Sequence, residues 1–217
     1  MTVALRSRRT ATLPAAGGER TLATVPVAPA LSPADELTLA AILAAARRVM
    51  AARGYEAASY VAIGEAAGVS PASVRRFFPT KMELALETLQ VPRAMRGASR
   101  LARLSGREIV TQYLQFWETG QNTAILLSVF RAAANDGRIV RDVERFLTAA
   151  LVRPLAWGLQ SVDACPRIRL MMSQLAGLAV SRYVLREEPL ASADCETLAC
   201  WMGPPIDGLL HGALGAG

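Results

Sequence analysis

Residues 59–78, SYVAIGEAAGVSPASVRRFF, combine small polar and basic side chains in a pattern that suits binding to duplex DNA. Val74, Phe77 and Phe78 supply the apolar anchors of a short helix. The opposite side of this helix carries small polar residues at its N-terminal end and arginines at its C-terminal end. Such a helix can enter a major groove, where arginine reaches phosphate or guanine. The positions expected to face the groove and its rims are Ser70, Ala72, Ser73, Arg75 and Arg76.

A second basic feature follows at the start of the next predicted helix. The run Thr80-Lys81-Met82-Glu83 has the T-x-x-E pattern of a capping box, which predicts Thr80 as the N-cap. Lys81 is the only lysine of the chain, and beside the exposed amides of a helix N-terminus it forms a natural phosphate clamp. An ordinary capped helix with a solvated lysine explains the same pattern, and the local sequence does not decide between the two.

Residues for catalysis or metal binding are scarce. The single histidine, His211, lies close to a glycine-rich C-terminus, and Cys165, Cys195 and Cys200 lack the spacing of zinc ligands. We therefore expect no enzymatic activity, no metal site and no cofactor. An odd number of cysteines without the apolar core of a signal peptide predicts reduced thiols in the cytosol.

The composition narrows the class of protein further. The 217 residues carry a net charge of +6, and 52% of them are hydrophobic. The charge fits an anionic partner, but a genome rich in arginine codons produces the same balance. No segment reaches the roughly 18–20 apolar residues of a membrane helix, so we expect no membrane partner.

Bulky apolar residues recur at helical rather than alternating spacing, which predicts an all-α fold of about nine helices. Ser32 and Pro33 start the first helix, which stops at Gly54. Ser59 then caps a short helix that ends at Gly68, and Ser70 starts the next one, as in a helix-turn-helix.

We divide the chain into three parts: a basic tail over residues 1–34, expected to be disordered; a helix-turn-helix domain over 35–90; and a larger helical domain over 91–217. The tail either adds non-specific affinity for DNA or is a solvated extension. Further helices are predicted near 81–102, 106–118, 122–134, 138–160, 166–186 and 194–211. Kinks or breaks are expected at Pro92, Pro154 and the run Gly203-Pro204-Pro205.

Three segments, 42–55, 59–81 and 83–84, together resemble the first four helices of the tetracycline-repressor (TetR) family of bacterial transcription regulators. The resemblance implies a homodimer that places the helix near 71–77 of each protomer in one half-site of a palindromic operator. It also implies a C-terminal domain that dimerises and binds a small-molecule effector. The location implied is the bacterial cytoplasm, at the nucleoid.

By the same resemblance, Ser59 and Tyr60 would contact phosphate, and Thr80 and Lys81 would grip the DNA backbone. Three positions depart from the family pattern. Arg75 replaces a tyrosine and is expected to bind phosphate or read guanine. Phe77 replaces a histidine and is expected to pack rather than bind, and Gly64 replaces an alanine.

A weaker resemblance to C-terminal domains of actinobacterial members covers 106–118 and 173–192. It implies that the helices 166–186 and 194–211 form a four-helix bundle with those of a partner protomer. The candidate interface stripe has helical spacing, which an intramolecular core helix shares. It consists of Leu175, Leu178, Ala179 and Arg182.

Large, adaptable apolar side chains predict a pocket for a mainly apolar effector in the C-terminal domain, although core packing explains each of them singly. The candidate set is Tyr113, Phe116, Trp117, Phe130, Trp157, Met171 and Gln174. The competing interpretation of the whole chain is a helical interaction module that binds anionic surfaces without sequence preference.

Overall fold

The computed structural model describes residues 31–91, 103–159 and 161–212, and these ranges contain helices and no β-strand. The all-α class with an N-terminal helix-turn-helix is therefore confirmed, whereas most of the predicted tail and Pro92 lie outside the described residues. We number the α-helices α1 (Pro33–Ala57), α2 (Tyr60–Ala67), α3 (Pro71–Phe77), α4 (Lys81–Glu87), α5 (Gly106–Glu118), α6 (Asn122–Asn135), α7 (Gly137–Leu147), α8 (Arg153–Leu159), α9 (Ala164–Ala179) and α10 (Cys195–Leu210). Segments of π-helix follow α7 (Thr148–Val152) and α9 (Val180–Leu185).

Short-range hydrogen bonds set where the first four helices begin. The side-chain oxygens of Ser32, Ser59, Ser70 and Thr80 each accept a bond of 3.1 Å from the backbone N–H three residues ahead. Each bond satisfies one of the free donors at a helix start, which confirms the four predicted N-caps. At Gly54, where α1 was predicted to stop, the backbone leaves the helical region before one further turn.

Two hydrophobic cores hold the helices together. The first joins α1–α4 around Ile42, Ile63 and Leu84, and it also includes the buried α6 side chains Ile125 and Val129. The second core lies between α5, α8, α9 and α10 and includes Leu114, Leu155, Ile168, Leu198 and Ile206. Residues 35–90 therefore share their core with α6, which comes later in the chain.

The predicted helix over 138–160 is interrupted beside Pro154, and the one over 81–102 ends early. The π-helical segment Thr148–Val152 separates α7 from α8, close to where the proline was expected to act. Helix α4 ends at Glu87, and Thr88 follows it as a buried cap.

A kink or a break was predicted at Gly203-Pro204-Pro205, and the break does not occur, because α10 runs through both prolines. Proline removes backbone donors, but packing and side-chain bonds hold this helix. Ile206 and Leu210 are buried in the second core, and the Asp207 carboxylate accepts a 2.6 Å bond from the Gly106 N–H at the start of α5. The rings of Pro204 and Pro205 lie on the exposed side of α10.

Within the described ranges, no helix is long and apolar enough to cross a membrane. The same ranges hold no group of three or more His, Cys, Asp or Glu side chains arranged for a metal ion. The three cysteines are free thiols.

Candidate nucleic-acid interface

The turn between α2 and α3 is closed by two backbone hydrogen bonds. Gly68 has a φ of 70°, and its N–H donates to the Glu65 carbonyl, while the Val69 N–H donates to the Gly64 carbonyl at 2.9 Å. This pair of bonds is a Schellman motif, and the left-handed residue it needs is a glycine here. A Cβ atom on Gly64 would lie 2.7 Å from the Val69 carbonyl oxygen, so α2 meets the turn more closely than alanine permits.

Helix α3 exposes the small and basic side that the sequence predicts. Val74 is buried in the first core, and Phe77 packs against that core from a partly buried position, as expected. Ala72 is exposed, and the hydroxyls of Ser70 and Ser73 lie 2.9 Å apart at the front of the helix. The front of α3 therefore carries no bulky side chain that would obstruct approach to a groove.

The two arginines at the back of α3 have different surroundings. Arg76 forms an ion pair with Asp35 of α1, and its guanidinium lies 4.6 Å from the centre of the Phe77 ring. Hydrogen bonds from Ser32 and from Arg76 hold the pKa of the Asp35 carboxyl below its usual value. Arg75 has no ion-pair partner among the described residues, so its charge is uncompensated.

Tyr60 supports this end of α3. Its hydroxyl donates a 2.9 Å bond to the Phe78 carbonyl, and the Arg75 guanidinium lies 5.2 Å from the centre of its ring. Partial burial raises the pKa of the phenol, although the nearby Arg75 charge acts in the opposite direction. The predicted phosphate contact Tyr60 thus also positions the C-terminus of α3, while Ser59 caps α2 and is exposed.

Lys81 is bound to the end of α1. Its ammonium donates a 3.1 Å bond to the Glu56 carbonyl and lies 4.5 Å from the centre of the Tyr55 ring. Burial lowers the pKa of this lysine, partly offset by the Glu56 carboxylate. A cation here stabilises the carbonyl end of a helix, so a phosphate contact would have to compete with this arrangement. Thr80, beside it, is an exposed N-cap.

Three residues missed by the sequence reasoning therefore help to build this surface: Asp35, Tyr55 and Glu56. The ion pair between Arg76 and Asp35 spans 41 positions of sequence. No short-range pattern carries information about such a contact.

In the C-terminal part, several candidate effector residues form one aromatic cluster around Trp117. The indole stacks on Tyr183 with ring centres 4.9 Å apart, and it lies 6.2 Å from Phe130 and 6.4 Å from Tyr113. Burial raises the pKa of Tyr113 to about 12. Tyr183 was not in the candidate set, because it lies in the π-helical segment after α9, far away in sequence.

Two candidate residues, Trp117 and Gln174, each have a buried polar atom without a hydrogen bond. The Trp117 Nε1 donor and the Gln174 Oε1 acceptor have no well-formed bond to any described residue, although the indole N–H lies close enough to Tyr113 to lower its pKa slightly. Buried polar groups are rarely left in this state. Met171 is buried in the second core, one turn of α9 before Gln174.

The remaining candidates lie apart from the cluster. Trp157 is 55% exposed on α8, and Phe116 is partly buried on α5. Neither of the two surface clefts that the structure forms near α7 and α9 is lined by any of the seven candidate residues.

The candidate dimer stripe faces the protomer's own interior. Leu175, Leu178 and Ala179 are buried, the first two in the second core. Arg182 donates bonds of 2.6 and 2.7 Å to the carbonyls of Leu190 and Ala193 and pairs with Glu118. Of the two interpretations that the sequence leaves open, this placement favours a core helix.

Comparison with known proteins identifies two family models in the chain. Residues 42–88 match the model "Bacterial regulatory proteins, tetR family", and residues 105–210 match "Tetracyclin repressor-like, C-terminal domain". No match was found among curated proteins.

Two solved structures are similar in fold. One is a TetR-family regulator from Streptomyces coelicolor A3, with 31% identity, coverage of 84% of this chain and 99% of that one, and a TM-score of 0.65. The other is the fatty acid degradation regulator FadR from Bacillus halodurans, with 18% identity, coverage of 81% and 99%, and a TM-score of 0.50.

Substitution of Gly64 by alanine tests the close approach of α2 and the turn. Helix propensity alone would make Gly64→Ala stabilising by about 1 kcal/mol. Because the new methyl group meets a backbone oxygen at 2.7 Å, we expect a loss of about 1–3 kcal/mol in the free energy of unfolding instead. Urea denaturation at fixed protein concentration measures it, and a stabilised variant would contradict the described turn.

Proposed function

The chain belongs to the TetR family of bacterial transcription regulators, and we propose from this that it represses transcription by binding a palindromic operator as a homodimer. Release follows when a small effector binds the C-terminal domain. Members of the family are generally DNA-binding proteins rather than enzymes. The location that suits this role is the bacterial cytoplasm, at the nucleoid.

The charge of Arg75, which has no ion-pair partner among the described residues, is the observation that carries the proposal. It lies behind the small front of α3, while its neighbour Arg76 is neutralised by Asp35. The Arg75 guanidinium lies over the Tyr60 ring, and this contact restricts the Arg75 side chain before DNA binds. We assign base or phosphate recognition to Arg75, the approach to the groove to Ser70, Ala72 and Ser73, and phosphate contacts to Ser59, Thr80 and Lys81.

The proposed homodimer uses the exposed sides of α9 and α10, opposite to the buried stripe. Leu170 on α9 and Trp201 on α10 are 53% and 61% exposed. Gly177 and Gly208 also lie on the exposed sides, and a Cβ atom on either would meet no atom within 4 Å. Glycines between large apolar side chains allow helices of two protomers to approach closely and bury the intervening surface.

The proposed effector site is the interior around Trp117. Its rings suit a mainly apolar molecule, and the unpaired Trp117 Nε1 atom provides a donor for a polar group on it. We assign the second polar contact to Gln174, the acceptor predicted from the sequence, whose Oε1 atom is also buried without a partner. A neutral aromatic alcohol has this chemistry. Binding there requires the closed cluster to open, which displaces Phe130 and with it α6.

Helix α6 connects that cluster to the DNA-binding helices. Its first residue, Asn122, is buried and bonds to both backbone groups of Gln90, the N–H at 2.8 Å and the carbonyl at 3.1 Å. Further along α6, the Ser128 hydroxyl accepts a 3.0 Å bond from the Tyr55 N–H. A shift of α6 would therefore move the ends of α1 and α4 and alter the spacing of the two α3 helices in the dimer.

Loss of Arg75 should weaken binding to the operator. We expect Arg75→Ala to lower the affinity for the intergenic DNA beside the protein's own gene by at least about tenfold at about 150 mM salt. Arg131→Ala, which removes an exposed arginine from α6, should leave the affinity within about twofold. Fluorescence anisotropy with labelled DNA measures both. Equal affinity of the wild type for this DNA and for random DNA would instead support an anionic-surface module.

A charged group on the exposed side of α10 should separate the dimer. Trp201→Asp places a carboxylate in the proposed interface, so we expect sedimentation velocity to show a monomer at micromolar concentration. Leu37→Asp on α1 changes a side chain of similar exposure, 75%, outside that interface and should leave a dimer. A dimeric Trp201→Asp protein would exclude this surface.

The effector site is tested with p-cresol, a neutral aromatic alcohol. In a Trp157→Phe/Trp201→Phe protein, where Trp117 is the remaining tryptophan, we expect p-cresol to quench the fluorescence and to release operator DNA. Gln174→Leu in the same protein removes the free acceptor and should weaken p-cresol binding by about three- to tenfold. An unchanged affinity would show that the molecule binds elsewhere.

A further inference from the structure

A basic groove runs along the C-terminal part of α7, away from the aromatic cluster. It has a volume of about 400 Å³, which is within the range of small-molecule sites. The π-helical segment Thr148–Val152, the start of α8 and the middle of α9 form its other sides. Four arginines and one acidic residue line it: Arg141, Arg145, Arg153, Arg169 and Glu144.

Most of this positive charge is not neutralised within the protein. Arg145 pairs with Asp142 at 2.8 Å, but the side chains of Arg141 and Arg153 form no ion pair or hydrogen bond with any described residue. Arg169 is held only loosely, at 3.5 Å from the Glu144 carboxylate and 3.3 Å from the Thr148 hydroxyl. Because such a half-exposed pair contributes little, Arg169 can exchange Glu144 for the carboxylate of a ligand at small cost.

An apolar cleft lies beside the groove. It has a volume of about 110 Å³ and shares Glu144, Thr148 and Arg169 with the groove, so the two spaces adjoin at these side chains. Its remaining lining is apolar and consists of Leu147, Val152 and Met172. One end of the combined space therefore suits a negative charge and the other a short hydrocarbon.

We propose that this groove binds a small amphipathic carboxylate, with its head between Arg153 and Arg169 and its apolar end against Met172. Arginine pairs with carboxylate through two parallel hydrogen bonds, and the cleft removes the hydrocarbon from water. The proposal concerns a second site, separate from the cluster around Trp117, and it does not depend on the proposed regulatory function. Inorganic phosphate would satisfy the arginines but not the cleft, and 1-octanol the cleft but not the arginines.

Isothermal titration calorimetry of the full chain with sodium octanoate, 1-octanol and inorganic phosphate tests this. We expect octanoate to bind at least about tenfold more tightly than either of the other two molecules, and more weakly as the salt concentration rises. The double variant Arg153→Gln/Arg169→Gln should bind octanoate at least about tenfold more weakly. Both arginines are exposed, so the variant should fold, which circular dichroism and thermal unfolding verify.

The control variant is Arg131→Gln, which removes an exposed arginine that lines neither cleft and should leave octanoate binding unchanged. Three outcomes would overturn the proposal. Phosphate binding as tight as octanoate binding would indicate a simple anion site, 1-octanol binding as tight would indicate an apolar site, and an unchanged double variant would place octanoate elsewhere. None of these outcomes bears on whether p-cresol binds near Trp117 or whether the protein binds an operator.

Discussion

Helix α6 is shared between the two halves of the molecule, and its position constrains both. Ile125 and Val129 are part of the core under the helix-turn-helix. At its start, Asn122 holds the backbone of Gln90, and the neighbouring Thr123 hydroxyl bonds to the Trp117 carbonyl at the end of α5. Since a buried amide left without partners is costly, α6 cannot shift without changing the contacts of both halves. This linkage is the physical basis for the proposal that an effector bound in the C-terminal domain changes the affinity for DNA.

The cations on the surface of the helix-turn-helix differ in their partners. Two cations, Arg76 and Lys81, are bound to α1, to a carboxylate and to a backbone carbonyl. They connect the first helix to α3 and to the start of α4. Arg75 has no ion-pair partner in the described part of the chain, so the proposed recognition of DNA rests on the placement of a single guanidinium and less on the net charge of +6.

Local features of the fold could be predicted from the sequence because their causes lie within a few residues. The caps at Ser59, Ser70 and Thr80 each depend on a bond spanning three positions, and helical spacing of apolar residues shows which face of a helix is buried. The spacing does not show which element covers that buried face. The stripe of Leu175 and Leu178 has the same pattern whether a partner or the protomer's own core covers it.

The contacts that could not be predicted join distant parts of the chain. The pairing of Arg76 with Asp35, the bond from Lys81 to Glu56 and the stacking of Tyr183 on Trp117 depend on how the helices are packed. The break predicted at the prolines of α10 is also absent, because packing and the Asp207 bond outweigh the loss of backbone donors.

At the π-helical segment Thr148–Val152, the number of residues in the chain determines how α7 is rotated relative to α8. A π-turn corresponds to one residue inserted into an α-helix, and each residue of an α-helix advances the face by about 100°. Removing one residue from this segment would rotate the α7 arginines relative to Arg169 by about one such step. The groove is thus a property of helix register, and insertions and deletions in this region can create or remove it while the surrounding cores are retained.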